Sequence, residues 1–89
     1  MDDNMIVLNT IRRICNIIED NVRGNVSFLY EKEDEAYRIV IDTQYFDWTE
    51  FIEIEDLENA SFDDEKRIVD YILTEFKKDI INEFFKIYQ

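Results

Sequence analysis

The chain has 89 residues, 46% hydrophobic and 15% aromatic, with 22 acidic residues against 10 basic ones, for a net charge of −12. That length suits one domain over residues 1–89, and the aromatic and β-branched content is too high for a disordered acidic tail. The charge argues against direct binding to nucleic acid or to anionic membrane, both of which need a basic footprint. With no histidine present, Ser-His and Cys-His nucleophilic pairs are excluded.

The first segment reads DDNMIVLNTIRRICNIIEDNVRG. Val7, Leu8, Ile11, Ile14, Cys15, Ile18 and Val22 recur at helical spacing, which predicts a helix over 4–23. Asp2, Asp3 and Asn4 offer N-caps suited to the positive end of the helix dipole. Gly24, the only glycine, is expected to close the helix in the left-handed conformation. Cys15 sits in an apolar run and reads as a buried free thiol.

Two alternating runs follow, around the polar KEDE at 32–35. Val26, Phe28 and Tyr30 share one face of the first run. Tyr37, Ile39 and Ile41 share one face of the second, which predicts a hairpin with a four-residue loop. Pairing Glu31 with Ala36 sets Phe28 against Ile39 and Val26 against Ile41. A third strand is expected over 48–55, with Gln44–Asp47 as the loop. Ile39 then opposes Ile52, Tyr37 opposes Ile54, Val40 opposes Phe51 and Arg38 opposes Glu53. A helix over 45–56 is the alternative, since short aromatic runs do not separate the two by period alone.

The last segment, SFDDEKRIVDYILTEFKKDIINEFFKIYQ, carries Val69, Leu73, Phe76, Ile80, Phe84 and Ile87 as a helical stripe. Ser61 with Asp64 resembles a capping box, and Asp63, Asp64 and Glu65 suit a first turn. A helix over 62–88 follows. The fold expected is α+β, in the order α-β-β-β-α: a three-stranded antiparallel meander with two helices packed on one face, leaving the other face bare.

Little in the chain suggests chemistry. One glycine cannot build a phosphate loop, and one Cys with carboxylates makes a poor zinc site. EKEDE at 31–35 lacks the order of an EF-hand loop and reads as a solvated turn. Paired carboxylates abound, but acid/base work needs a pocket that two thin layers do not offer. The expectation is no enzyme, no cofactor and no metal. Charged residues interrupt every apolar run, so neither a secretion signal nor a membrane span is read, and the cytoplasm is the expected location.

The charge is unevenly placed. Residues 25–60 hold eleven acids and two bases, a net −9 of the total −12. Within them, YFDWTEFIEIEDLE (45–58) has four aromatics and six carboxylates with no base. On the register above, Leu29, Val40 and Phe51 form an apolar centre on the bare face, and Glu31, Asp42, Glu53 and Glu55 ring it. That is the anatomy of a protein-binding patch. Alternate carboxylates on a strand lie roughly 6.6 Å apart, so a row of them can imitate phosphates. A solvated sheet face is the plainer reading.

In composition the chain resembles phage-type inhibitors that mimic DNA, such as anti-restriction, anti-CRISPR and glycosylase-inhibitor proteins. The resemblance rests on no motif. It implies a non-catalytic inhibitor that fills the basic groove of a nucleic-acid-binding protein. Glu31, Glu33, Asp34, Glu35, Asp42, Asp47, Glu50, Glu53, Glu55 and Asp56 would stand for phosphates, with Trp48 and Phe51 as anchors. The alternatives are an immunity protein or antitoxin against a basic toxin, and a structural homodimer through the C-terminal helix, where FFKIY widens the apolar band.

Overall fold

The computed structural model describes residues 3–44 and 46–87, with the backbone alone at 3, 4 and 87. The element order is helix α1 (Asp3–Asn21), strands β1 (Asn25–Glu31), β2 (Ala36–Asp42) and β3 (Asp47–Glu53), a short helix α2 (Ile54–Glu58) and a long helix α3 (Phe62–Ile87). The sheet is an antiparallel meander in the order β1-β2-β3. The fold is α+β as expected, with one extra helical turn between β3 and the last helix. The N-caps expected among Asp2, Asp3 and Asn4 and the apolar positions at Ile87 and Tyr88 lie outside the described side chains.

The apolar stripes meet in one core. Val7, Ile11, Ile14, Cys15 and Ile18 of α1 pack with Ile39, Ile41, Trp48 and Ile52 of the sheet, Leu57 of α2, and Val69, Ile72 and Phe76 of α3. Alternation along the strands places 26, 28 and 30, then 37, 39 and 41, then 48, 50 and 52 on the face that the helices cover. The first hairpin has the expected register, with Glu31 opposite Ala36 and Phe28 opposite Ile39.

The second hairpin differs from expectation by two residues. Ile41 opposes Trp48, Ile39 opposes Glu50, Tyr37 opposes Ile52, Arg38 opposes Phe51 and Val40 opposes Thr49. The cause is a tight turn. Thr43 N–H donates to the Phe46 carbonyl at 3.0 Å, Phe46 N–H donates to Thr43 Oγ1 at 3.0 Å, and the Thr43 hydroxyl donates to the Phe46 carbonyl. Strand pairing therefore begins at Asp42 and Asp47, so the four-residue loop is 43–46, one position earlier than expected. A shift of two keeps every side chain on its face, so the alternation alone could not detect it.

Gly24 also has a different role. It does not adopt a positive φ. A Cβ there would lie 2.6 Å from the Asp42 carbonyl oxygen, so glycine is needed for the close approach of the α1–β1 turn to the end of β2. The left-handed residue is Glu35, at φ 48° in the first hairpin loop.

α3 is anchored at its start. Ser61 N–H donates to Asp64 Oδ2 at 3.0 Å and Asp64 N–H donates to Ser61 Oγ at 3.1 Å, the reciprocal capping box. These hydrogen bonds hold the Asp64 carboxyl below its usual range. One turn on, Arg13 Nε donates to Glu65 Oε1 at 2.9 Å and ties α1 to α3. At the other end of the sheet, Trp48 packs edge-on to Phe76 with ring centroids 5.7 Å apart, and its Nε1–H donates to Asp79 Oδ2 at 2.7 Å. Trp48 lies at the sheet end from which α1 exits, so α1 and α3 run in the same direction.

Candidate functional site: an acidic end

The first hairpin loop and α2 come together at one end of the molecule. The Ile54 N–H donates to the Glu35 carbonyl at 3.0 Å, which pins the loop tip to the strand–helix junction. Between them lies an open cleft of about 510 Å³ lined by Tyr30, Asp34, Glu35, Glu53, Ile54, Glu55 and Glu58. Five of those seven side chains are carboxylates. A shallower depression of about 290 Å³ between Asp34, Ala36, Phe51 and Glu53 lies alongside it. α3 starts at the same end and adds Asp63 and Asp64 in its first turn. There the acids suit the helix dipole.

The expected partner-binding residues divide among three places. Glu31, Glu33, Asp34, Glu35, Glu53, Glu55 and Asp56 gather at this end, in the loop, the adjoining strand ends and α2. Asp42, Asp47 and Phe51 lie on the uncovered sheet face. Trp48 and Glu50 lie on the covered face. Trp48 is 7% exposed and belongs to the core, so it is no surface anchor. The expected row of alternate carboxylates on β3 is broken, because the strand ends at Glu53 and Glu55 belongs to α2.

The uncovered face keeps an apolar centre. Leu29 and Phe51 are each about half exposed and flank Arg38 across the three strands. Arg38 Nε lies 3.2 Å from Glu31 Oε1 as an ion pair. The alignment is too poor for a hydrogen bond, and this enclosed Nε–H finds no other acceptor. At the far end of the face Asp42 stands directly opposite Asp47. Hydrogen bonding to Asp42, with its like charge, raises the Asp47 carboxyl above its usual value. A pair of facing carboxylates costs stability, which a merely solvated face would not require.

Glu50, expected among the partner-binding residues, lies on the covered face. It sits between Trp48 and Ile52 at period two, and that spacing already assigned it to the covered face. Desolvation, then the charges of Glu75 and Asp79, raise its carboxyl above the ordinary value. Glu58 was not foreseen as a site residue. It reaches the cleft only because IEDLE turns into helix.

Among the described residues no group of three or more His, Cys, Asp or Glu side chains is placed to hold a metal ion. No helix of the described chain is long and apolar enough to cross a membrane. Compared with known proteins, the chain matches no family model, no curated protein and no solved structure.

Proposed function

We propose that the chain is a non-catalytic inhibitor whose acidic end occupies the basic, nucleic-acid-binding groove of another protein. One observation supports this reading above the rest. Eight carboxylates, those of Glu31, Glu33, Asp34, Glu35, Glu53, Glu55, Asp56 and Glu58, gather at one end of the fold, with Lys32 and Arg38 among them and Lys66 and Arg67 at the start of α3. A backbone hydrogen bond fixes the cleft among them, so the charges are pre-placed and need little ordering on binding. Exposed Phe51 and Leu29 beside them supply apolar contact at the rim. Steering by such a charge gives fast, salt-sensitive association. The partner is a basic protein, and no nucleic acid or membrane is bound directly. The cytoplasm, where such targets work, is the location that fits.

A cleft in place of a straight row favours a second reading, an immunity protein or antitoxin that receives a single basic loop of a toxin. One experiment separates the two. The protein is used to capture partners from a host lysate at low salt, and the bound fraction is challenged with double-stranded DNA. Under the first reading DNA and salt each release the partner, and a Glu53→Gln, Glu55→Gln, Glu58→Gln variant captures it at least tenfold less well. Release by salt but not by DNA supports the second reading. A partner held equally at low and high salt overturns both.

A further inference from the structure

α3 has a second face that nothing in the fold covers. Arg13 meets Glu65, and α1 ends at Asn21, eight residues further on. Because the two helices run in the same direction, the end of α1 falls near residue 73 of α3. The remaining part of α3, to Ile87, extends roughly 20 Å past it at about 1.5 Å per residue. Phe76 is the last fully buried residue, and Ile80 still packs on the core. Only one side of this segment is held by the sheet, through Phe76, Ile80 and the Trp48–Asp79 hydrogen bond.

The outward face of that segment is patterned. Tyr71, Thr74, Lys78, Ile81 and Phe85 follow at steps of three, four, three and four, the spacing of a coiled-coil seam. Val69, Ile72 and Phe76 point into the core, so this seam lies on the far side of the helix. Tyr71 is 55% exposed, Ile81 53% and Phe85 64%. The helix satisfies its first stripe with its own core and offers Tyr71, Ile81 and Phe85, set around Thr74 and Lys78, to a second helix.

Charge selects the occupant. Over the seam, residues 71–85, α3 carries Lys77 and Lys78 against Glu75, Asp79 and Glu83, a local net of −1 on a chain of −12. Two copies repel one another most where acids dominate, and this nearly balanced segment is where they can touch with little of that cost. The exposed parts of Tyr71, Ile81 and Phe85, with the aliphatic stems of Lys77 and Lys78, offer roughly 500 Å² per copy, about 1,000 Å² for a pair. That is the low end of a specific interface.

We propose that the chain forms a two-fold dimer through the seam Tyr71–Thr74–Lys78–Ile81–Phe85 of α3. The pairing leaves the acidic end of each copy free, so the dimer presents that end twice.

Sedimentation of the full chain over roughly 1–100 μM tests this, a range that brackets a modest interface. The mass should rise from 10.9 kDa towards twice that value. Added salt should strengthen the pairing by screening the like charges, the reverse of its effect on capture of a basic partner. Failure of one idea therefore does not mimic failure of the other. An Ile81→Glu, Phe85→Glu variant should dimerise at least tenfold less well with unchanged circular dichroism, since neither side chain belongs to the core. Ile81→Ser should show a smaller loss in the same direction. A wild-type chain that stays at 10.9 kDa throughout overturns the proposal, as does a double variant that pairs like wild type. A monomer whose capture of a foreign protein depends on Ile81 and Phe85 would assign the seam to that partner and overturn self-pairing.

Discussion

Glu50 stands on the covered face of the sheet, where the nearest charges from α3 are those of Glu75 and Asp79. Asp79 is held in place by a donor in the Trp48 indole, so Glu50 faces a fixed like charge. Its carboxyl is raised in the folded state, so its contribution is fully present below the unfolded value near 4.5 and is lost as pH rises through the folded value. Glu50→Gln should therefore stabilise the protein at pH 7 by about 0.5 kcal/mol, a figure that allows for solvent screening of a partly exposed group. The gain should vanish at about pH 3, where the wild-type side chain is protonated in both states. Urea unfolding of both chains at the two pH values checks this, and equal stability at pH 7 would refute the repulsion argument.

At the level of elements, Gly24 and Thr43 show how two turns set the sheet. Gly24→Ala forces a methyl group to within 2.6 Å of the Asp42 carbonyl. It should cost about 1–3 kcal/mol, as overpacking does, although alanine favours helices and the site follows one. A thermal melt no lower than wild type would show that the α1–β1 turn can move aside. The helices and the first hairpin were legible because period and pairing agreed there. Val69, Phe76 and Ile80 of the expected stripe and the Ser61–Asp64 box needed no partner to be recognised, whereas Ile72, set beside that stripe, is the buried residue and Phe84, set in it, is half exposed. The second hairpin was legible in face but not in register, since alternation fixes parity and a threonine hydroxyl decided the rest. Residues 54–58 were illegible as helix because IEDLE alternates apolar and acidic like a strand. Only Leu57, buried in the core, shows why it turns. That change of element also replaced a row of carboxylates by a cleft and brought in Glu58.

The whole molecule is elongated, with principal extents of 52 × 27 × 18 Å, and its two ends differ in kind. One end joins the hairpin tip, α2 and the start of α3, and is crowded with carboxylates. The other is the outrunning part of α3, partly apolar and without net charge. The acidic end depends on the middle 36 residues, and the paired seam on the last helix, so each can be altered while the shared core is left untouched.

That core holds the chain's only thiol. Burial, then the charge of Glu19, push Cys15 up to about 12, and its side chain is enclosed by α1's neighbours. A thiol reagent can therefore reach it only when the core opens, so the rate of trapping counts openings under native conditions. Labelling by an aromatic disulfide should run about a thousandfold slower in buffer than in concentrated urea, in keeping with a small domain of modest stability. Labelling at the rate of a free thiol would mean that α1 detaches on its own. The protein thus carries a built-in clock for its own unfolding, read in buffer by the thiol reagent alone.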